Sequence, residues 1–355
     1  MEMTQNQSET RNDTGTDMVT MSQSTDWYFE DKNMYSTAKP DDNVHPFHPT
    51  HITLPLILVI GLFGNIITVS VMQRKSFEKH LFRYMLTALA VSDSILVVLA
   101  PFNKLFVMEW LGFDFRSYSQ LTCKTFFFFW RNAKMTSSWF IVLVSIERFI
   151  AVWFPFKSRQ LITKKFLLFS ILCNYLGTVT FNTIWIYMTD SVIDGRCQVN
   201  KSKSGDVEME QFFVILGTSL YSVIPSMLIV CLNSLTVKKV IDQKKALKKL
   251  TDNSSKSNET SKITLMLVCN SIVFVILVVP VTLMHCYALF TGSSDLYTSS
   301  EPVTATLREV TQTLEQLNYA INFILYSTCS STFRHEALAT FACLRNSDKE
   351  ITVKQ

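Results

Sequence analysis

Ionisable side chains sit inside long apolar runs at Asp93, Arg131, Lys134, Glu147, Arg148 and Glu315. A charge in hydrocarbon is costly, so such groups pair with one another, hold an ion or ligand, or relay protons. Spacing narrows the chemistry. Lys134, Ser137, Ile141, Val144 and Arg148 recur at three- or four-residue steps and share one helical face, as do Thr311, Glu315, Asn318, Asn322 and Tyr326. Two polar stripes in apolar surroundings must face inward, because lipid would leave them unsatisfied. Asp93, within LAVSDSILV, is expected to face the same interior.

Depth brings two of these charges to one level. Lys134 precedes Arg148 by a helical distance of about 21 Å, and Glu315 precedes Tyr326 by about 16 Å. Two readings stay open: an interhelical ion pair between Lys134 and Glu315 beneath a ligand pocket, or each group reaching water or ligand separately. The chain has no HExxH, no glycine-rich nucleotide loop and no paired catalytic aspartates in its apolar runs, which argues against an enzyme. It shows no inverted repeat or ring-forming charged motif, which argues against a transporter or channel.

Helices must position these groups. The chain has 355 residues, 48% hydrophobic and only 17% charged, whereas a soluble chain would hold about a quarter charged residues. The charges avoid seven windows, approximately 52–72, 84–107, 125–150, 166–189, 211–237, 263–290 and 310–328, each long enough to cross a bilayer. The expected fold is an all-α membrane protein, a seven-transmembrane helix bundle with a short amphipathic C-terminal helix. Residues 1–50, rich in Ser, Thr, Asn and Asp, read as a disordered extracellular N-terminus. Residues 51–328 form the bundle, and 329–355 the amphipathic helix and cytoplasmic tail. The N-terminus lacks the pattern of a signal peptide, so the first span is expected to act as the anchor. Pro55, Pro101, Pro225 and Pro280 lie in or near spans, where kinks are tolerated.

Loop charge sets orientation. The connections after the first, third and fifth spans carry Arg74, Lys75, Lys79 and Arg83, then Lys157, Arg159, Lys164 and Lys165, then a run of lysines from Lys238 to Lys262. The positive-inside rule places these loops and the C-terminus in the cytoplasm, with the N-terminus outside. The lysine run would meet anionic membrane lipids or a cytoplasmic partner. A net charge of +4 gives no sign of nucleic-acid binding. Asn6, Asn12 and Asn200 head glycosylation sequons on the outer side. Cys123 and Cys197 are the two cysteines on that oxidising face and form a plausible disulfide, with two free thiols as the alternative. Cys173, Cys231, Cys269 and Cys286 read as buried small apolar residues. Cys343 follows an amphipathic stretch containing Phe333, Arg334 and Leu338 and is a candidate palmitoyl site. Ser254, Ser255, Ser257, Thr260 and Ser261 offer phosphorylation sites.

The chain resembles the rhodopsin-like (class A) G-protein-coupled receptors. The resemblance rests on GLFGN with Asn65, LAVSD with Asp93, Cys123 with Cys197, SIERF with Arg148, Pro225, Phe274 with Pro280, and NFILY with Asn322 and Tyr326. It implies that Glu147 and Arg148 govern G-protein coupling, with Arg148 held by Glu147 at rest. Phe274, Asn322 and Tyr326 would take part in activation. Asp93, Ser137, Asn318 and Asn322 match a buried sodium site, the alternative being a protonated, hydrogen-bonded Asp93 without sodium. No other cofactor is implied. A heterotrimeric G protein, arrestin and a receptor kinase are the expected partners. Departures are Phe149 after Glu147-Arg148, Asn174 where the fourth-span tryptophan is usual, Leu277 and Val278 in place of the sixth-span cysteine and tryptophan before Pro280, Phe323 in place of the seventh-span proline, and Asn233 in the inner fifth span.

Ligand class follows from the same resemblance. Trp130 stands where amine receptors carry an aspartate, and Gln316 where opsins carry their lysine. WFPFK (Trp153–Lys157), LNYAINFILYS (Leu317–Ser327) and Trp110 with Gly112 and Phe113 are similar to peptide receptors, including invertebrate FMRFamide and myoinhibitory-peptide types. The candidate pocket residues are Asn103, Trp130, Arg131, Lys134, His285, Glu309 and Glu315. The expected function is activation of a heterotrimeric G protein by an extracellular neuropeptide. The alternatives are an orphan, constitutively active or non-signalling receptor, and a receptor for a lipid or small molecule.

Overall fold

The computed structural model describes residues 50–103, 113–188, 190–193, 196–199, 207–250, 257–291, 302–340 and 342. Its surface is inverted relative to a water-soluble protein. Val59, Phe63, Phe169 and Ile276 are exposed, while Asn65, Asp93, Ser137 and Lys134 are buried. Such an arrangement is stable only where the surroundings are themselves apolar.

The long helices are α1 (Thr50–Met72), α2 (Phe82–Leu99), α3 (Gln120–Trp153) and α4 (Lys164–Met188). α5 runs through Val207–Thr218, a π-helical turn Ser219–Val223 and Ile224–Leu250. α6 (Ser257–Thr291) follows, then α7 (Pro302–Ala320), α8 (Asn322–Cys329) and a helix at residues 331–340, α9. The expected second span continues past α2 only as a 3₁₀ turn, Ala100–Asn103, and residues 104–107 of that window lie outside the described residues.

α3 is the axis of the bundle. Ser119 begins it, its hydroxyl accepting the Thr122 amide at 3.1 Å. Pro155 ends it, because the residue before proline avoids helical backbone and Pro155 itself opens a short helix, Pro155–Leu161. At 34 residues it is about 51 Å long, so it crosses a 30 Å core with room for tilt.

Among the described residues, six helices are long and apolar enough to cross a membrane: Ile52–Met72, Phe82–Phe102, Gln120–Trp153, Lys164–Tyr187, Ile215–Gln243 and Met266–Tyr287. The seventh window is different. Its helix begins at Pro302 and is interrupted at Ile321. One face of α7 carries Arg308, Thr311, Glu315 and Asn318, all buried, which removes it from the apolar class by composition. The interruption persists although Phe323 occupies the place of the usual proline.

α1 is held against this broken helix at glycines. A Cβ on Gly61 would lie 2.8 Å from Ala320 Cβ, and one on Gly64 would lie 2.7 Å from Phe323 Cβ. Asn65 Nδ2 donates to Tyr319 O at 3.2 Å across the same contact. The π turn of α5 precedes Pro225, and Trp139 of α3 donates its indole N–H to Leu220 O in that turn at 2.9 Å.

Two expectations require correction. The fold is not purely helical: β1 (Asp190–Ile193) and β2 (Arg196–Val199) form an antiparallel hairpin, with Val192 opposite Cys197. Four-residue strands are too short to leave a clear alternating pattern in sequence. Cys173 and Cys231 are exposed rather than buried, and Cys269 and Cys286 only partly buried. A small thiol is apolar enough to face lipid, so its burial cannot be inferred from the residue type.

Asn6, Asn12, Asn200, Trp110, Gly112, Ser254, Ser255 and Cys343 lie outside the described residues.

Candidate functional site

Three helices converge on one carboxylate. Glu315 Oε1 on α7 lies 2.7 Å from Lys134 Nζ on α3. The same oxygen accepts the Tyr221 hydroxyl of α5 at 2.7 Å and the Tyr319 hydroxyl, one turn along α7, at 3.3 Å. All four side chains are buried. Of the two readings left open by sequence, the direct interhelical pair is the one present. Its geometry explains how two charges survive inside the bundle: each meets its opposite, and the surplus lone pairs take phenolic protons.

Aromatic rings complete the surroundings of the ammonium group. Lys134 Nζ lies 4.4 Å from the Trp130 ring centre and 4.8 Å from that of Tyr221. His285 of α6 meets Tyr221 edge-on, with ring centres 6.4 Å apart. Lys134, Trp130, His285 and Glu315 therefore belong to one cluster.

Arg131 lies beside it on the α4 side. Its guanidinium is 4.6 Å from the Trp185 ring centre and 5.2 Å from that of Phe127. A small cavity lined by Arg131, Lys134, Met135, Asn182, Trp185 and Tyr221 connects the two neighbourhoods. Glu309 is half-buried on α7, nearly two turns before Glu315. Asn103 ends the 3₁₀ turn after α2.

The hairpin is tied to the first turn of α3. Cys123 of α3 is disulfide-bonded to Cys197 of β2, with Cα atoms 5.5 Å apart. Gln120 adds a second tie: its side chain accepts from Val192 N at 3.0 Å and donates to Val192 O at 3.2 Å.

A second polar centre lies deeper. Asp93 of α2 is fully buried. Its Oδ1 accepts the Ser137 hydroxyl at 2.5 Å, and its Oδ2 accepts Asn322 Nδ2 at 2.6 Å. Asn318 is buried one turn before Asn322. One carboxylate with a hydroxyl and two amides is a donor set suited to a small hard cation, once the amides present oxygen. Among the described residues no group of three His, Cys, Asp or Glu side chains is placed to hold a metal.

At the far end of α3, Arg148 makes two hydrogen bonds to the adjacent Glu147 carboxylate. Its guanidinium also lies 5.3 Å from the Phe82 ring centre on α2. Phe274 is buried in the core of α6. Tyr326 is buried against Phe333 of α9, ring centres 5.6 Å apart. α9 is fastened to the loop after α1, where Arg74 Nη2 donates to Thr340 Oγ1 at 3.2 Å. Phe333 is buried there whereas Leu338 is exposed, so the two apolar residues serve opposite faces of α9.

Sequence reasoning missed four buried residues in or beside the Glu315 cluster. Tyr319 was within reach of it, since it stands four residues from Glu315 on the same helix. Arg308 extends the same stripe by two turns and is only 2% exposed; a seventh span drawn from Val310 leaves it out. Tyr221 and Trp185 sit in apolar runs where an aromatic residue carries no mark of a polar role.

Comparison with known proteins places this architecture. The chain is 25% identical over 333 residues to the sheeppox virus G-protein coupled receptor homolog Q2/3L, covering 90% of this chain and 81% of the relative. It is 23% identical over 348 residues to the probable G-protein coupled receptor AH9.1 of Caenorhabditis elegans, covering 87% and 80%. It is 24% identical over 327 residues to mouse neurotensin receptor type 1, covering 81% and 74%. The family model of the 7 transmembrane receptor (rhodopsin family) matches residues 64–326, well over half of the chain. The chain belongs to the rhodopsin family of seven-transmembrane receptors, signalling proteins of the membrane rather than enzymes.

Proposed function

We propose that this receptor binds an extracellular peptide above the Lys134–Glu315 pair and activates a heterotrimeric G protein from its cytoplasmic face. α7 and α8 form the seventh span in this reading, with the N-terminus outside and α9 on the inner leaflet of the plasma membrane. The observation that carries the proposal is the buried cluster of Lys134, Tyr221, Glu315 and Tyr319, which joins α3, α5 and α7 through one carboxylate. A ligand offering its own cation or anion at this level would exchange for one partner and change how the three helices are tied. Similarity to a neurotensin receptor supports a peptide as that ligand.

Asp93, with Ser137, Asn318 and Asn322, would hold a sodium ion; their role is to offer one negative charge and neutral oxygens in a dry site. Arg148, held by Glu147, would be freed for the G protein. Arrestin and a receptor kinase would act on the active state. Asn6, Asn12 and Asn200 would carry glycans, and Cys343 a palmitoyl chain.

The test is calcium and cAMP signalling in cells displaying the receptor, challenged with a library of amidated neuropeptides. The expected result is a potent response that Glu315→Gln or Lys134→Met abolishes while surface display persists. Silence across the library from displayed receptor would move the assignment to a lipid or small-molecule ligand, or to a non-signalling orphan.

A further inference from the structure

The outer surface of the bundle carries a groove where α3, α4 and α5 meet, apart from the site above. Its volume is about 450 Å³, within the range of small-molecule sites. Trp139, Leu143, Phe166, Phe169 and Phe181 form apolar walls, and Gly177 widens it: a Cβ built there meets nothing within 4 Å. Phe166, Phe169 and Cys173 along its edge are exposed, so the groove opens toward the hydrocarbon and not toward the bundle interior.

One polar group in this groove is unsatisfied. Ser170 donates to Phe166 O at 2.9 Å, and the Thr178 hydroxyl lies 2.8 Å from that of Thr136. Trp139 spends its indole N–H on Leu220 O. Asn174 donates Nδ2 to Thr136 O at 3.2 Å, but its Oδ1 receives no hydrogen bond from any described residue. An amide oxygen facing lipid without a donor is costly. Asn174 lies about 15 Å along the helix from Lys164, near the middle of a core about 30 Å thick. Phospholipid head groups stay at the membrane surface and cannot supply a donor there.

We propose that this groove binds an uncharged, bilayer-dissolved apolar molecule bearing a hydroxyl that donates to Asn174 Oδ1. The occupant stacks on the aromatic walls and contacts Leu220, so it touches the π turn of α5 from the lipid side. This site is independent of the peptide reading.

The test is photolabelling of the full chain in phosphatidylcholine nanodiscs with octanol carrying a diazirine, followed by peptide mapping. Label is expected to concentrate between Phe166 and Phe181, to be displaced by excess octanol, and to resist octane at the same membrane concentration. Asn174→Leu should cut labelling about fivefold, the loss of one hydrogen bond. Because that change also removes the Thr136 contact, Gly177→Leu is the second variant: its side chain enters open space, fills the groove and should remove the label. Label spread over all lipid-facing helices, equal displacement by octane, or labelling unchanged in both variants would overturn the proposal.

Discussion

The outer and inner halves of the bundle solve the same problem differently. In the outer half, Lys134 and Glu315 pair across helices, and Tyr221 joins them, so charge ties α3, α5 and α7 together. In the inner half, Arg148 pairs with its own neighbour Glu147, so that, among the described residues, the charge meets only the Phe82 ring across the interface. α3 meets α6 there through Ser145 and Ser271, whose hydroxyls lie 3.2 Å apart. Both hydroxyls already donate within their own helices, to Ile141 O at 2.9 Å and Leu267 O at 3.0 Å. The inner contact is therefore neutral and weak, while the outer one is charged and shared by three helices. A bundle tied this way should yield first at the Arg148 end, the cytoplasmic one in the orientation proposed above.

The sharpest way to break this contrast is to remove the outer carboxylate. Glu315→Gln leaves the Lys134 ammonium buried without its anion and should cost about 3–5 kcal/mol of stability, read as a lower melting temperature in detergent. Lys134→Met should cost less, since Glu315 keeps two tyrosine donors. The double variant should recover much of the loss. Additive losses in that cycle would mean that the two groups act separately and the outer tie is not one unit.

Packing between α1 and the broken seventh helix gives the next largest effect. Gly64→Ala would press a methyl group to 2.7 Å from Phe323 Cβ, so one or both helices must shift at about 1–3 kcal/mol. Gly177→Ala, in open space, should be nearly silent in the same melting assay. Equal losses at both positions would show that close approach does not set the cost, since helix backbone preference by itself favours alanine over glycine.

These contrasts also show what a sequence can reveal. The two polar stripes, the level of Lys134 and Glu315, and the burial of Asp93 were legible because charge in an apolar run has few places to go. The helices were legible for the same reason, but the seventh window was drawn from Val310 whereas α7 starts at Pro302, because the buried stripe of Arg308, Thr311, Glu315 and Asn318 lowers its apolar signal. Tyr221 was illegible as a ligand of Glu315, because its neighbours are apolar and the partner is 94 residues away. The hairpin around Cys197 was illegible because its four-residue strands leave no clear alternation and its tie to α3 runs through the Gln120 side chain. The lipid side was misread at Cys173 and Cys231: a residue that tolerates both environments carries no directional information.

The deeper centre offers a middle-sized test. If Asp93 holds sodium, the wild type should melt higher in sodium chloride than in choline chloride by about 1 kcal/mol when the ion is a few-fold above its dissociation constant. Asp93→Asn keeps an acceptor for Ser137 but removes the charge, so its melting should be the same in both salts. A wild type indifferent to the cation would favour Asp93 held by Ser137 and Asn322 alone.

The smallest effect is expected at the inner contact, and it bears most on function. Ser145→Ala removes a hydroxyl whose proton is already committed within α3, so it should change melting by less than about 1 kcal/mol, in line with interhelical hydrogen bonds averaging about 0.6. Its signature should be in signalling. If the α3–α6 contact contributes to the resting state, a loss of that size raises basal nucleotide exchange on a G protein by about threefold. The same substitution should leave peptide affinity almost unchanged, because the outer tie is intact. A large drop in melting temperature from Ser145→Ala would place a strong constraint at the inner end and erase the difference between the two halves. Unchanged melting with raised basal exchange would locate the low-cost opening between α3 and α6.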